Sequence, residues 1–416
     1  MKENGCNAHV LSSLDDIAWL LNIRGNDIAY CPLVLSYAIV YNNSVELFAD
    51  IRKFSDDIIN LLAENQVKIY PYEDIYRKVS EMTSEDKLLL DSSIMNYSLY
   101  QSISKETVIV DKQNPEILMK SVKNETQAEN LRKAHLKDAV AHTKFMYWLK
   151  KNIGRVEITE LSASARLEGL RAEQEHFLGP SFGPISAYGE HGAIVHYSAD
   201  EKSNVPLKEG KLFMTDTGGH YLEGSTDITR TVALGEVGNI EKEHFTLVAR
   251  AMLRLANTVF LYGCSGANLD CIAREVFWKE GLNFNHGTGH GVGYLLNIHE
   301  GPINFRWKEG ERPAPALEEN MVITDEPGIY IEGSHGIRLE NELLVRKTVK
   351  NEYGQFMNFE ILTYVPIDLD AILPEKMSTE EKEMLNHYHK QVYEKVSPYL
   401  SEEERIWLKE YTRAVK

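Results

Sequence analysis

The sequence predicts an α/β protein, in the broad sense that includes α+β, built from two domains. Three observations lead to this prediction. Up to about residue 121, short β-rich runs alternate with helical segments. A long amphipathic helix then begins near Asn124, and from there the same order of helices and strands occurs twice. With 416 residues, the chain is long enough to bury a large core, and its composition is that of an ordered globular protein.

The first domain, residues 1–121, is predicted to be a small α/β unit. Its β-rich runs lie at residues 8–11, 67–70, 87–90 and 107–110. The helical segments between them lie at residues 14–22, 73–82 and 93–102. No part of this domain clusters histidines, cysteines and carboxylates. We therefore expect it to be non-catalytic, serving as a scaffold or as a cover over a substrate site.

The second domain, residues 122–416, is predicted to contain two halves of one design. The first half has helices from 124 onward and over 157–176, followed by strands near 193–197, 212–216 and 227–233. The second half has helices over 240–262 and 267–281, followed by strands near 291–297, 321–325 and 336–345. Because the order repeats, we expect a duplicated arrangement of α/β halves.

The C-terminal segment, residues 374–416, is rich in Glu and Lys and has the apolar spacing of amphipathic helices. The apolar positions are Leu385, Tyr388, Val392, Leu400 and Trp407. We expect a helical extension that packs on the body of the domain or on a second subunit. A homodimer is therefore among the expected assemblies.

Charge and composition exclude several classes of partner. The 62 acidic and 45 basic residues give a net charge of −17, and no run of Lys or Arg offsets it, so nucleic acid is not an expected partner. The apolar runs fall short of the roughly 20 residues that span a bilayer. The N-terminus lacks the apolar segment of a secretory signal, and the four cysteines show no CxxC spacing. We therefore expect a cytoplasmic protein with reduced, structural thiols and no membrane partner.

Two aspartates lie at the ends of strand-like segments. Asp216 follows an apolar run in LFMTDTGG, and Asp227 comes eleven residues later in STDITRT. A carboxylate at the end of an apolar strand is costly to bury unless a cation or a hydrogen-bond donor meets it. Two of them on a predicted hairpin indicate a metal site.

Three histidines lie among five glycines in HGTGHGVGYLLNIHEGP. These are His286, His290 and His299. Glycine lets the backbone approach a ligand closely, and histidine is the commonest metal ligand. The segment is only superficially like a dinucleotide-binding loop, because no GxGxxG unit between a strand and a helix and no GxxxxGK[ST] motif is present. A nucleotide site is therefore not expected.

Two glutamates complete the charged groups. Glu326 precedes a turn-forming Pro-Gly pair in VITDEPGIY, and Glu340 lies among apolar residues in GIRLENELLV. Arg338 and Glu340 share one face of a strand, because side chains alternate with a period of two. An arginine beside a metal-binding carboxylate orients that ligand, and we expect this role for Arg338.

With these five residues in this order and the motifs around them, the sequence resembles the creatinase/aminopeptidase P/methionine aminopeptidase family of pita-bread metallohydrolases. The stretches LDDIAWLLNIRGNDI, KNETQAENLRKAHLKDAV, GTGHGVGYLLNIHEGP and TDEPGIYIEG are similar to Xaa-Pro aminopeptidases of the eukaryotic cytosolic type. The resemblance implies a creatinase-like N-terminal α/β domain before a pita-bread catalytic domain with pseudo-twofold halves. Those relatives carry a further N-terminal domain, so the chain is expected to be a naturally short form or a fragment.

Four carboxylates and one neutral imidazole in a compact site would carry about −4, which two divalent cations would balance. Ligands dominated by oxygen, with one nitrogen, fit Mn²⁺, with Co²⁺ or Zn²⁺ as alternatives. The resemblance also implies Mn²⁺. It places Asp227 and Glu340 as bridges between the ions, Asp216 on one ion, and His290 and Glu326 on the other.

The implied activity is hydrolysis of the bond between an N-terminal residue and a following proline, by a hydroxide held between two metal ions. The substrates would be short peptides with proline in the second position. Glu326 is our candidate general base and acid. The resemblance implies that His196 and His299 line the substrate site as proton shuttle and carbonyl partner, and that His286 lies beside the proline ring.

Two alternatives remain at this point. Prolidase, an X-Pro dipeptidase, uses the same five ligands and would differ only in how the N-terminal region and neighbouring subunits cover the site. Pita-bread proteins that have lost their ligands act as binding modules for proteins or RNA. The presence of all five ligands disfavours the binding module.

Overall fold

The computed structural model describes residues 1–308, 310 and 313–416. It divides into two compact units, Met1–Lys120 and Ser121–Lys416. Both units combine helices with β-sheets, which confirms the predicted α/β class. In the described part of the chain, every helix is too short or too polar to cross a bilayer.

The first unit is built on one six-stranded sheet. Its strands are β1 Ala8–Leu11, β2 Ser36–Tyr41, β3 Val45–Ala49, β4 Val67–Tyr70, β5 Lys87–Leu90 and β6 Val108–Asp111. Its helices are α1 Leu14–Leu21, α2 Asp56–Glu64, α3 Asp74–Ser80, α4 Tyr97–Ser102 and α5 Pro115–Ser121. The strand order is β4-β3-β2-β1-β5-β6.

Side chains from this sheet enter apolar clusters on both of its faces. The successive residues Leu47 and Phe48, for example, belong to different clusters. Strands β2 and β3 were not predicted from the sequence. Much of each strand is buried, so its sequence lacks the apolar and polar alternation that marks a half-exposed strand.

In its described residues the second unit has six α-helices, which occur in pairs along the chain. They are α6 Glu125–Asn152, α7 Glu160–Ala172, α8 Asn239–Ala256, α9 Gly266–Trp278, α10 Thr379–Val396 and α11 Glu402–Tyr411. A capping box between Asn124 and Gln127 begins α6. The last two helices pack on the core of this unit through Leu385, Val392 and Leu408.

The strands found in the described part of the second unit form four sheets. They are β7 Phe177–Pro180, β8 Ile185–Tyr188, β9 Lys211–Thr217, β10 Gly219–Tyr221, β11 Gly224–Ser225, β12 Ile228–Leu234, β13 Phe260–Leu261, β14 Gly289–Gly291, β15 Glu300–Phe305, β16 Val322–Asp325, β17 Gly328–Ile331, β18 His335–Arg338, β19 Asn341–Asn351 and β20 Gly354–Ile361. The sheet orders are β11-β10-β7, β12-β9-β8, β13-β20-β19-β16-β14-β15 and β17-β18.

Two of the predicted strands are wrong. Residues 189–193 form a short 3-10 helix instead of leading into a strand at 193–197, and β8 lies before them. The strand predicted at 291–297 ends at Gly291, and irregular backbone with bends follows it. In the second case Val292 and Leu296 are buried although the backbone is irregular, so apolar content alone indicates a strand where there is none.

Candidate metal centre

Asp216 and Asp227 come from antiparallel strands of one sheet. Asp216 lies in β9, and Asp227 immediately precedes β12. Thr229 of β12 is the register partner of Asp216, so the two aspartates are close neighbours on this sheet. Both are buried, as expected for carboxylates that follow apolar runs.

The other three predicted ligands come from the six-stranded sheet of the second unit and from the connection between that sheet and β18. His290 lies in β14, and Glu326 directly follows β16, which pairs with β14. Glu340 lies between β18 and β19, where the chain passes from one sheet to the next. Its backbone N–H donates to the carbonyl of Thr229 at 3.1 Å, which joins it to the strand that follows Asp227.

The five predicted ligands converge on one point. Their donor atoms form overlapping groups in which the atoms lie within 4.8 Å of one another. The groups are Asp216–Asp227–Glu340, His290–Glu326–Glu340 and Asp227–His290–His299. Nε2 of His290 lies 3.5 Å from Oδ2 of Asp227 and 3.6 Å from Oε1 of Glu326. Asp227, His290 and Glu340 each belong to two groups.

Hydrogen bonds hold His290 in the form that binds a metal through Nε2. Its Nδ1 lies 2.9 Å from the carbonyl of Gly291 and donates to it, which leaves the Nε2 lone pair facing the carboxylates. Its backbone N–H donates to the Thr324 hydroxyl at 3.0 Å, and that hydroxyl donates to Oε1 of Glu326 at 3.2 Å. Thr324 therefore sets the relative position of these two donors.

The electrostatics of the cluster fit bound cations. Burial raises the pKa of Asp227 and of Glu340 well above the usual range, and repulsion from neighbouring carboxylates raises both further. Burial also raises the pKa of Glu326. Within the described residues, Oδ1 of Asp216 is buried and has no hydrogen-bond partner. Divalent ions would meet this oxygen and offset the repulsion, so the residues present fit a metal centre.

Arg338 joins the carboxylate cluster to His286 through a tyrosine. Its guanidinium is buried and donates to Oδ2 of Asp216 and, at 2.7 Å, to the hydroxyl of Tyr330. The same hydroxyl lies 2.9 Å from Nε2 of His286, whose Nδ1 donates to the carbonyl of Gly287 at 2.7 Å. Tyr330 therefore donates to His286. Burial lowers the pKa of His286 to about 4, which keeps this ring neutral.

A cavity of about 520 Å³ opens beside the cluster. Its lining includes His196, His286 and His299, so the structure brings all three predicted histidines to the ligand site. The ring of His299 lies 4.3 Å from that of His290, centre to centre, and its nitrogen belongs to one of the donor groups. Desolvation and the neighbouring His290 lower the pKa of His299 to about 4. The geometry thus offers His299 as a sixth donor beside the five predicted ligands.

Three residues that the sequence analysis missed support the ligands. The hydroxyl of Thr229 donates to Oε2 of Glu340 at 2.7 Å, and Oε1 of Glu342 accepts the backbone N–H of Asp227 at 2.7 Å. Tyr330, described above, is the third. A period-two reading would have found two of them, because Thr229 follows Asp227 by two residues and Glu342 follows Glu340 by two.

Comparison with known proteins agrees with this geometry. Residues 129–347 match the profile described as metallopeptidase family M24, residues 1–127 match the creatinase/prolidase N-terminal domain, and residues 355–415 match the C-terminal region of peptidase M24. Aminopeptidase P1 of Arabidopsis thaliana is 34% identical over 465 residues, which cover 100% of this chain and 72% of that protein.

Solved structures lead to the same family. An X-prolyl aminopeptidase from Caenorhabditis elegans, described as a cytosolic enzyme with a di-nuclear active site, superposes with a TM-score of 0.93 at 34% identity, covering 100% of this chain and 69% of that one. A Xaa-Pro dipeptidase from Bacillus anthracis shares the fold. It superposes with a TM-score of 0.68 at 24% identity, covering 88% of this chain and 96% of the dipeptidase chain. The three profile matches of this chain, together with its cluster of carboxylates and histidine, show that it belongs to metallopeptidase family M24.

Proposed function

We propose that this chain is a Xaa-Pro aminopeptidase, which hydrolyses the bond between an N-terminal residue and a following proline in short peptides. The observation that carries the proposal is the set of overlapping donor groups lining the 520 Å³ cavity. Relatives named as aminopeptidases of this type, aligned along the whole chain, support the substrate class.

Five residues are proposed to hold two divalent ions, with Mn²⁺ preferred because oxygen donors dominate. Asp227 and Glu340 would bridge the ions, as the resemblance implies, and they are the two carboxylates that belong to two donor groups. Asp216 would complete one site, and His290 with Glu326 the other. When bound, two such ions polarise a water molecule and offset the negative charge that develops on the reacting carbonyl.

Glu326 is proposed to accept a proton and to deliver it to the nitrogen of the leaving proline. Thr324 holds its Oε1, so we assign the transferred proton to Oε2. Burial raises the pKa of this carboxyl, which makes it a stronger base than an exposed glutamate. Its place at the edge of the donor set, in one group only, leaves it within reach of a substrate in the cavity.

The histidines are proposed to position the substrate. His196 and His299 line the cavity and would act as proton shuttle and carbonyl partner. His286 would lie beside the proline ring, with its Nε2 occupied by the Tyr330 hydroxyl. Because Nδ1 is bonded to the carbonyl of Gly287, both ring nitrogens of His286 are then occupied. The face of the imidazole remains for contact with an apolar pyrrolidine ring. Arg338 would act only by holding Asp216 and Tyr330 in place.

Prolidase is the second candidate. It is favoured by the structural similarity of this chain to the Bacillus anthracis dipeptidase. That similarity, at 24% identity, concerns the fold, whereas the relatives at about 35% identity support the aminopeptidase. We also propose a cytoplasmic location, a homodimer, and a division into a non-catalytic domain of residues 1–121 and a catalytic domain of residues 122–416, with residues 374–416 as its helical extension.

The test compares two tripeptides on the Mn²⁺-loaded protein, Arg-Pro-Pro and Arg-Ala-Pro, by release of free arginine. A pocket fitted to the pyrrolidine ring should give roughly 30-fold to 1000-fold higher kcat/KM for the first peptide. Asp227→Ala should abolish both rates, and the surface variant Glu352→Gln should retain them. Comparable cleavage of both peptides would reject proline specificity, and hydrolysis confined to an Arg-Pro dipeptide would assign a prolidase.

A further inference from the structure

Glu160 is a buried carboxylate to which the proposed reaction gives no task. It is the first residue of α7, and its side chain is fully buried. Thr159 is the N-cap of this helix, so the carboxylate lies where the aligned peptide dipoles favour a negative charge. A buried carboxylate is nevertheless costly unless hydrogen-bond donors meet its oxygens. The donors that meet Glu160 therefore show which part of the molecule it holds.

Three donors to the Glu160 carboxylate come from one segment of the chain, residues 188–197. Oε1 accepts the backbone N–H of Tyr188 at 2.8 Å and lies 2.8 Å from Nδ1 of His191, which donates to it. Oε2 accepts the hydroxyl of Tyr197 at 3.0 Å. Both oxygens are thus engaged, and the three bonds tie the start of α7 to a segment 28 to 37 residues further along the chain.

These bonds hold the segment on both sides of His196. The rings of His191 and Tyr197 stack with their centres 4.5 Å apart, so the two donors support each other. Burial raises the pKa of Tyr197, which keeps its hydroxyl protonated and able to donate. Beyond His196, the backbone N–H of Glu160 donates to the carbonyl of Val205 at 3.2 Å.

The part of the segment that carries His196 has no regular structure of its own. Residues 194–198 belong to no helix or strand, and residues 195–198 line the 520 Å³ cavity. His196 itself is exposed. In a strand, a ladder of backbone hydrogen bonds would fix the direction of such a side chain. Here its direction depends on the contacts that hold the segment at each end.

A close backbone contact holds the segment on its other side. A Cβ at Gly336 would lie 1.6 Å from the carbonyl oxygen of Gly192, so only glycine permits this approach. Gly336 belongs to β18, which leads directly towards the proposed ligand Glu340. The segment is therefore held between the start of α7 and a strand that ends at the metal centre.

We propose that Glu160 is a positioning residue, whose carboxylate holds residues 188–197 so that His196 faces a substrate at the metal centre. The described residues that line the cavity do not include Glu160, so it acts through the segment and not on the substrate. A group that moves a proton must stay within hydrogen-bond reach of the reacting atom, so a small displacement lowers kcat. This inference rests on the proposed function, because that function gives His196 its task.

The test is a double-mutant cycle with His196 on the Mn²⁺-loaded protein, with release of arginine from Arg-Pro-Pro as the readout. His191→Phe keeps a stacked ring but loses the donor, and it should lower kcat about 10-fold with KM and two bound ions retained. Glu160→Ala should lower kcat about 100-fold. Glu160→Gln should recover most of this loss, because its amide oxygen can still accept the two donors that meet Oε1. In the His196→Ala background, His191→Phe and Glu160→Ala should each cost less than about 2-fold.

Glu381→Ala is the matched control, because Glu381 is also a buried carboxylate in the first turn of a helix, α10, and lies outside the cavity lining. The folded control protein should keep the kcat of the wild type. Unaltered turnover in His191→Phe would overturn the role of Glu160. Losses as large in the His196→Ala background as in the wild type would also overturn it. If Glu160→Ala does not fold, the cycle with His191→Phe is sufficient.

Hydrogen exchange followed by mass spectrometry separates this inference from the proposed function, because it requires no turnover. The backbone amides of residues 188–198 should exchange at least about 10-fold faster in His191→Phe and Glu160→Ala than in the wild type, while those of α8 keep their rates. Unaltered exchange in residues 188–198 would overturn the anchoring by Glu160. Cleavage of neither X-Pro-Y nor X-Pro by the wild type would reject the proposed function, and faster exchange confined to this segment would then still support the anchor.

Discussion

Oε1 of Glu342 accepts the backbone N–H of Asp227 at 2.7 Å. Glu342 belongs to β19 of the six-stranded sheet, and Asp227 precedes β12 of a three-stranded sheet, so this bond joins the two sheets at the metal centre. Nε2 of His135, from α6, lies 3.1 Å from the other oxygen of Glu342. All three residues are buried. The position of Asp227 therefore depends on groups outside the donor cluster.

The first prediction concerns this support. Glu342→Gln keeps the shape of the side chain but removes its negative charge. The group that accepts the N–H of Asp227 and faces His135 is then a weaker acceptor, so we expect metal affinity to fall about 10-fold to 100-fold. Titration of metal-free protein with Mn²⁺ in a calorimeter measures it. Glu360→Gln, a change in β20 at the ion pair with Arg132, is the control and should leave Mn²⁺ affinity unaltered. An unaltered Kd in Glu342→Gln would refute the prediction.

The second prediction concerns removal of the ions. Burial and mutual repulsion oppose ionisation of Asp227 and Glu340, and ions that bind only the native site stabilise it. A chelator should therefore lower the Tm by at least about 5 °C. Glu340→Gln, which has one carboxylate fewer and weaker metal binding, should show a smaller shift. Equal Tm values for wild type with two ions and wild type shown to be metal-free would contradict this account.

The third prediction separates chemistry from metal binding. His196→Ala and His299→Ala should each lower kcat by roughly 100-fold while two ions stay bound, as expected for groups that move protons or contact the carbonyl. His176→Ala, which removes a histidine paired with Glu223 outside the cavity, is the control. Stoichiometric loss of one ion in His299→Ala would instead make His299 a ligand, in accord with its place in a donor group.

The fourth prediction is a pH dependence of stability that arises from a group outside the candidate metal cluster. Burial, assisted by Arg230, lowers the pKa of His389 to about 3, whereas the unfolded value is near 6.5. The unfolded chain therefore binds the extra proton between these values. The free energy of unfolding therefore keeps its full contribution from neutral His389 above pH 6.5. This contribution declines as the pH falls towards 3, by about 1.4 kcal/mol per pH unit.

Urea unfolding at pH 4 to 6 tests this prediction. His389→Gln should reduce the slope of the unfolding free energy against pH by about one proton relative to wild type. The exposed neighbour His387 on the same helix provides the control, and His387→Gln should keep the wild-type slope. Identical slopes in wild type and His389→Gln would show that His389 is not the titrating group.

Local sequence was sufficient to predict the class of fold and to mark the charged residues among which the family resemblance placed the five candidate ligands. Asp216 and Glu340 are charged residues inside apolar strand-like segments, and such residues require a partner wherever the strand folds. The start of α6 was predicted near Asn124, where a capping box uses residues only three apart. Each of these inferences depends on residues that lie within a few positions of one another in the sequence.

The tertiary structure alone revealed which groups support those ligands. The bond from Thr229 to Glu340 spans 111 residues of sequence, and that from Glu342 to Asp227 spans 115. The contact of Tyr330 with His286 and the entry of His299 into a donor group depend in the same way on strand register and sheet packing. Local patterns indicate which face of a strand a residue occupies, but the partner across the sheet is chosen by packing of the whole core.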